Sequence, residues 1–196
     1  MPEDTQLSDS DGVFLVKTAR MAVTEFLSNG KRMKLESEGE KKFSFNSGVF
    51  VTLNNADGLR GCIGFPMPDK KLSHGIIDAA IAAATEDPRF SPVKINELNE
   101  IVFEITVLTP PVEITVTDPM EYLEKIKVGR DGLIIRNSFS SGLLLPQVPV
   151  EYGWNVEEFL QHTCEKAGLE KDTWKNEKVK IEKFEGIVYK EETNGS

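Results

Sequence analysis

The chain has 196 residues, 39% of them hydrophobic, and a mean hydropathy of -0.28. These values suffice to bury the core of one domain or of two small ones, and they exclude wholesale disorder. No apolar run approaches the roughly 18 residues that cross a bilayer. The acidic N-terminus also lacks the apolar stretch of a secretory signal. We therefore expect a cytoplasmic protein with no membrane association.

Acidic residues outnumber basic ones by 32 to 23, which gives a formal net charge of -9. A nucleic-acid partner is normally met by a basic surface, so this balance disfavours nucleic acid. The cysteines, Cys62 and Cys164, and the histidines, His74 and His162, form no CxxC, HxxxH or HExxH spacing. The sequence therefore predicts no metal site, and it defines no cofactor.

The first half of the chain shows helical and strand patterns in turn. The charged segment 31–42 is expected to be a solvated loop or a frayed helix end. Two β-rich runs flank a turn cluster at 54–58 and predict a β-hairpin. The predicted elements are a helix at Val13–Asn29, hairpin strands at Gly48–Leu53 and Leu59–Phe65, and a helix from Ser73 to Glu86.

The second half is richer in strands, and its clearest pattern is the alternation of Ile101–Leu108, which places Glu104 and Thr106 opposite its apolar face. Hairpins dominate over strand–helix–strand units, so the sequence predicts an α+β fold with a mainly antiparallel sheet. The further predictions are a short helix at Pro119–Lys125, a hairpin over Ile126–Arg136, a strand at Leu143–Pro146, a helix at Asn155–Ala167 and an extended segment at Lys178–Tyr189.

The most unusual stretch is Leu59–Gly64, with the sequence LRGCIG. On a strand, Arg60, Cys62 and Gly64 share one face. A guanidinium beside the thiol would stabilise the thiolate, and Gly64 would leave room for another group to approach. Cys62 is therefore a candidate nucleophile or ligand-binding thiol. The alternative is a small core cysteine, with Arg60 paired to a carboxylate.

A second candidate lies in the sequence Asp87-Pro88-Arg89-Phe90, directly after the predicted helix. A turn that holds one carboxylate and one guanidinium can anchor an anionic or planar ligand. The alternative is a helix stop, in which Asp87 and Arg89 bond to backbone or to each other. Elsewhere in the sequence, Gly58, Gly61 and Gly64 do not form a dinucleotide-binding fingerprint, and Gly129-Arg130-Asp131-Gly132 does not form a P-loop.

Several blocks of the sequence resemble the AMMECR family, named for the Alport syndrome, midface hypoplasia and elliptocytosis chromosomal region. The resemblance covers roughly residues 10–190. In its compact form without long tails, the chain resembles prokaryotic or archaeal members more than animal ones. Pro149-Val150 departs from the family, which more often has a small residue there. The blocks are Gly48–Leu53, Leu59–Gly64, Asp87–Phe90, Gly129–Leu133, Leu144–Val148, Gly153-Trp154 with Phe159-Leu160, and Lys166–Leu169.

The resemblance implies a single domain over residues 1–196, built in two parts with a cleft between them. The larger antiparallel part would combine 10–45 with 92–196, and the smaller hairpin-plus-helix part would be 46–91. We therefore expect 101–108 to lie in a different, larger sheet from the hairpin. The site predicted to line the cleft has Cys62 as its catalytic residue and Arg60, Gly61, Gly64, Asp87 and Arg89 as its substrate-binding residues.

Three functions compete at this point. The first is an enzyme, or an enzyme component, that uses Cys62 as nucleophile or redox group. The second is a non-catalytic binding module or adaptor. Its partners would be Memo-like or radical-SAM proteins, with which the family is associated. The third is a nucleic-acid-associated accessory protein, which the acidic composition disfavours.

Overall fold

The computed structural model describes residues 7–176 and 179–192. The chain divides into two compact units. The first unit contains the residues up to Leu108 together with those from Ile187 onward, and the second contains residues 109–186. The second unit is therefore one continuous stretch of chain, whereas the first combines two segments that are distant in sequence.

The first unit opens with helix α1 (Asp9–Asn29). The Ser8 hydroxyl accepts a hydrogen bond from the Asp11 N–H, and the Asp11 carboxylate accepts one from the Ser8 N–H in return. Gly30 ends the helix in the left-handed conformation, with φ of 71°, which glycine adopts without a Cβ penalty. The helix predicted at Val13–Asn29 is confirmed, but it starts at Asp9, because the capping box of Ser8 and Asp11 lies ahead of Val13.

In the first unit, three strands pair in antiparallel fashion in the order β2-β1-β3. The hairpin of β1 and β2 confirms the prediction. The prediction that 101–108 lies in a different sheet is wrong, because Ile105 pairs with Val51 within a β1–β3 ladder. The apolar face of β3 continues that of β1, so pairing buries both. The strands are β1 (Val49–Asn55), β2 (Gly58–Phe65) and β3 (Val102–Leu108).

Helices cover one face of this sheet. Helix α3 (Leu72–Thr85) packs against β1 and β2, and α1 packs against α3 and β3. The predicted division into 46–91 and the remainder is therefore wrong, since the hairpin and α3 share one core with α1 and β3. A short helix α2 (Ser37–Lys42) lies within the charged segment, and a 3₁₀ helix spans Ile95–Glu100.

The last described residues complete the first unit. The Glu191 carboxylate accepts hydrogen bonds from the Arg20 guanidinium and, at 2.9 Å, from the Phe103 N–H. The Tyr189 ring lies against Gly12, where a Cβ would come within 1.9 Å of the ring. These contacts bind the C-terminal segment to α1 and β3.

The second unit has an antiparallel sheet in the order β4-β7-β5-β6. The predicted hairpin over Ile126–Arg136 is wrong, because Leu133 pairs with Leu144 and Lys183 and not with 126–128. Instead the buried Asp131 carboxylate accepts from the Lys127 N–H and closes a turn. The strands are β4 (Val112–Glu113), β5 (Asp131–Arg136), β6 (Ser141–Leu144) and β7 (Lys180–Lys190), of which β7 belongs to this unit up to Gly186.

Helices α4 (Tyr122–Lys125), α5 (Gln147–Tyr152) and α6 (Val156–Lys166) complete the second unit, with 3₁₀ turns at Pro119–Glu121 and Lys171–Lys175. The predicted helix at Asn155–Ala167 is confirmed as α6, which Asn155 caps by accepting from the Glu158 N–H. The predicted extended segment is confirmed from Lys180 onward, while Lys178 lies outside the described residues. Sequence and structure agree on an α+β fold with antiparallel sheets. Within the described ranges, no helix combines the length and the apolar composition needed to cross a membrane.

Candidate functional site

Cys62 lies in β2, the edge strand of the sheet in the first unit, directly opposite Thr52 of β1. Its backbone N–H points away from β1, since it donates to a side chain outside the sheet. Cys62 and Thr52 are thus a non-hydrogen-bonded pair, the arrangement that brings side chains closest. The Thr52 hydroxyl donates to the Cys62 Sγ at 3.3 Å.

Asp87 holds the free edge of β2 at Cys62. Helix α3 ends at Thr85, and the turn that follows buries the Asp87 side chain to 2% exposure. Its Oδ2 accepts the Cys62 N–H at 2.8 Å, and its Oδ1 accepts the Arg89 N–H at 3.1 Å. The hydrogen bond from the Arg89 guanidinium, supported by these N–H groups, holds the pKa of the Asp87 carboxyl well below its usual range.

Arg89 completes this edge contact. Its Nη2 donates to Asp87 Oδ2 at 2.7 Å and reaches the Cys62 carbonyl at 3.4 Å. The hydrogen bond to Asp87 raises the pKa of Arg89, with smaller contributions from the charges of Asp87 and Cys62. Asp87 and Arg89 together contact the N–H and the C=O of Cys62, as a neighbouring strand would. The sequence Asp-Pro-Arg is therefore a helix stop that covers a sheet edge.

Arg60 is directed to a different partner. Leu53 pairs with Gly61 and Asn54 with Leu59, so Arg60 is the extra residue of a β-bulge, which redirects its side chain. The guanidinium donates to both carboxylate oxygens of Glu97, at 3.0 and 3.3 Å, and to the Ser91 carbonyl at 3.0 Å. The hydrogen bond from Arg60 lowers the pKa of Glu97. The cation that contacts Cys62 is Arg89, and Arg60 takes the carboxylate pairing weighed as its alternative.

The two glycines of the predicted site have packing partners within the chain. A Cβ on Gly61 would lie 2.2 Å from the Ala83 carbonyl oxygen, so this glycine allows α3 to approach β2. A Cβ on Gly64 would lie 2.3 Å from the Phe50 ring. The prediction that Gly64 leaves room for a ligand is therefore wrong, because the Phe50 side chain from the neighbouring strand fills that space.

The face of the sheet opposite the helices carries the Cys62 thiol. We call it the outer sheet face; its residues alternate with the buried ones along each strand. Glu104 pairs with Thr52, so Cys62, Thr52 and Glu104 form one row across three strands. All of its residues are half-buried. They are Phe50, Thr52 and Asn54 of β1, Cys62 and Gly64 of β2, and Val102, Glu104 and Thr106 of β3.

The structure thus brings Cys62, Asp87 and Arg89 into direct contact and attaches Arg60 to the same region through Ser91 and Glu97. All of these residues belong to the first unit. Sequence reasoning missed Thr52 as the partner of the thiol. The period-2 alternation of Val49–Asn55 carried that signal, but it needed the register of the hairpin to point to Cys62.

This α+β fold and its LRGCIG strand define the class of protein. Residues 16–189 match the family model described as AMMECR1, and the chain belongs to that family. It is 51% identical to protein MJ0810 of Methanocaldococcus jannaschii over 187 residues, which cover 94% of this chain and 92% of that protein. It is 48% identical to protein PYRAB00100 of Pyrococcus abyssi, with coverage of 95% and 93%.

The fold is also similar to that in the crystal structure of protein PH0010 from Pyrococcus horikoshii. The TM-score is 0.77 and the sequence identity 49%, over 95% of this chain and 94% of that one. The family resemblance carried by the LRGCIG and Asp-Pro-Arg-Phe blocks is therefore confirmed, and these three relatives are archaeal.

Proposed function

We propose that this protein is a non-catalytic binding module that presents the outer sheet face to a protein partner. One observation carries the proposal: the charged side chains of the two motifs are engaged in holding the edge of β2. Arg60 pairs with Glu97, and Arg89 pairs with Asp87. The motifs thereby make the sheet rigid around Cys62, and a rigid surface loses little entropy on binding.

The surroundings of the thiol support this view over nucleophilic catalysis. A nucleophilic cysteine is activated by a base within hydrogen-bond reach or by a cation that stabilises its thiolate, and the Arg89 guanidinium is engaged with Asp87. The hydrogen bond that the structure gives the Cys62 Sγ comes from the Thr52 hydroxyl, which does not serve as a base at neutral pH. His74 is a side chain that could act as a base, but its Nε2 lies 3.5 Å from the Glu40 carboxylate, and no hydrogen bond to Cys62 is found among the described residues.

The partners proposed for this surface are Memo-like or radical-SAM proteins, through the association of the family with both. The row of Cys62, Thr52 and Glu104 offers a thiol, a hydroxyl and a carboxylate on a fixed backbone. A partner would be recognised through hydrogen bonds to these groups, with Glu104 as the charged anchor. Nucleic acid is a poor candidate for this face because the chain has a net charge of -9.

The test uses the full chain and a Memo-like or a radical-SAM protein from the same organism, with the affinity measured by calorimetry. Glu104→Lys should weaken binding by about tenfold or more, since it reverses the charge of the anchor. Glu100→Lys is the matched control, because it makes the same change on an exposed residue outside the outer sheet face. Failure of both partners to bind, or an equal loss in the two variants, contradicts the proposal.

A second function, thiol-dependent enzyme chemistry, is favoured by one feature of Cys62. Its side chain is half-buried and so remains reachable, and the Thr52 hydroxyl donates to its sulfur. A brief iodoacetamide pulse on the native protein at pH 7, read by mass spectrometry, separates the two functions. Modification of Cys62 faster than that of an unstructured thiol supports the enzyme, and slower modification supports the binding module.

A further inference from the structure

A groove runs along one side of α1, on the helical side of the first unit and away from the outer sheet face. We call it the α1 groove; its walls are α1 and the segment 33–43, and its volume is about 600 Å³. Phe14, Thr18, Met21 and Glu25 line it at helical spacing. They extend over three turns, so the groove is straight and roughly 16 Å long on the helix side.

The floor of the groove is apolar and adaptable. Phe14 stacks on Phe43 with ring centroids 5.4 Å apart, and Met33 is buried beside them. Phe14 and Met21 nevertheless remain 40% and 49% exposed. Methionine and aromatic side chains that are exposed in this way fit partners of varied shape. Phe14 and Met21 are seven residues apart and so lie on the same side of the helix, where one ligand can contact both.

The rim of the groove is acidic. Of its charged residues, Asp11 and Lys42 neutralise each other in an ion pair. The remaining ones are the carboxylates Glu25, Glu36 and Glu38 and a single cation, Lys34. None of these four has an ion-pair partner within the described ranges. A net negative rim above an apolar floor is complementary to a ligand with the reverse pattern, basic at its flanks and apolar at its centre.

We propose that the α1 groove binds a basic amphipathic helix of a partner protein. The apolar stripe of that helix would lie on Phe14 and Met21, and its lysines or arginines would face Glu25, Glu36 and Glu38. The length of the groove suits anchors at i, i+4 and i+7, which a straight groove along three helical turns would accept. The proposal is independent of the binding function of the outer sheet face, since the two surfaces share no residue.

The test measures fluorescence anisotropy of a labelled Leu/Lys peptide of about 16 residues, whose leucines recur at helical spacing. Two comparison peptides carry glutamate in place of every lysine, or the same residues in an order without an apolar face. The Leu/Lys peptide should bind the full chain at least about tenfold more tightly than either of them. Equal binding of the shuffled peptide would show mere charge attraction and would overturn the proposal.

Two variants then locate the binding. Met21→Lys places a cation on the apolar floor and should abolish peptide binding. Val13→Lys is the control, because Val13 is 67% exposed on the same helix and lies outside the α1 groove. An equal loss in both variants overturns the proposal. So does a dimer, seen by analytical ultracentrifugation, that Met21→Lys dissociates, because a second copy of the chain would then occupy the groove.

Discussion

The Asp87 carboxylate accepts a 2.8 Å hydrogen bond from the backbone N–H of Cys62, and this bond joins the end of α3 to the edge of β2. A sheet edge normally leaves such N–H groups open to pairing with another chain. Here a side chain from the following turn satisfies the group. The motif residues that resemble a binding site are thereby part of the support of the strand that carries the thiol.

Asp87→Asn should destabilise the protein by about 2–3 kcal/mol, because it weakens charge-assisted hydrogen bonds to a buried carboxylate. Urea unfolding at pH 7 gives the free energy of unfolding. Asp78→Asn is the control, since Asp78 pairs with Arg32 and Lys70 at the surface and should change stability much less. If the two substitutions lowered the free energy of unfolding equally, the buried contact of Asp87 with the sheet edge would contribute no more than a surface ion pair.

The stabilisation from Asp87 should also depend on pH. Its pKa is lower in the folded chain than in the unfolded one, where it is near the ordinary value of about 3.9. The contribution is therefore fully present above that ordinary value and decreases as pH falls below it. The difference in unfolding free energy between wild type and Asp87→Asn should be constant from pH 7 to pH 5 and shrink below about pH 4. A difference that grows on acidification would contradict this sign.

Arg60→Met should lower stability by about 1–3 kcal/mol, because it removes the guanidinium that donates to the Glu97 carboxylate and to the Ser91 carbonyl. It should leave the rate of Cys62 alkylation unchanged, because the guanidinium is directed to Glu97. Chemical unfolding and the iodoacetamide pulse measure the two effects. Slower alkylation in Arg60→Met with normal stability would restore the role first predicted for Arg60 beside the thiol.

Gly64→Ala should destabilise by about 1–3 kcal/mol, since the new Cβ collides with the Phe50 ring. Phe50→Ala removes the ring atoms that the new Cβ meets and should relieve this part of the collision, so the double variant should be more stable than the sum of the single changes predicts. The contact of the new Cβ with the Val49 carbonyl oxygen, at 2.6 Å, remains, so the relief should be partial. Thermal unfolding of the four proteins measures this coupling. Strict additivity of the two changes in unfolding free energy would show that the Phe50 ring does not collide with a Cβ at position 64.

Phe103→Ala should destabilise by about 3–5 kcal/mol, because Phe103 is fully buried in the core of the first unit. Leu144→Ala should cost clearly less, since the Leu144 side chain is only half-buried. Both residues lie in segments that the sequence predicts to be strands, but the sequence does not show which substitution destabilises more. Denaturant midpoints of the two variants supply the ranking, and a larger shift for Leu144→Ala would contradict the burial.

Local patterns were sufficient to predict the helices α1, α3 and α6 and the β1–β2 hairpin, because each depends on residues close in sequence. The β1–β3 pairing could not be predicted in this way. The alternation of Val102–Leu108 shows which face is apolar, but it does not identify the neighbouring strand. The predicted second hairpin failed for the same reason, since the partners of Leu133 are distant residues.

In the candidate site, too, contacts between residues close in sequence could be predicted and contacts between distant residues could not. The sequence Asp87-Pro88-Arg89 indicated a helix stop as one alternative, and the structure has a helix stop there. The partner of Arg60 is Glu97, 37 residues further along the chain, and nothing in the spacing indicated it. The β-bulge also broke the strict alternation on which the shared face of Arg60 and Cys62 depended. Sequence therefore located the thiol but not the groups that surround it.

The contacts of Arg20 with Glu191 have a consequence for synthesis of the chain. The first unit contains α1, yet it also needs the residues from Ile187 onward, which leave the ribosome after the whole of the second unit. The second unit is continuous and can fold as soon as it has emerged. Until Glu191 arrives, the guanidinium of Arg20 and the N–H of Phe103 lack their shared acceptor. The unit that is begun first is thus the one that is completed last.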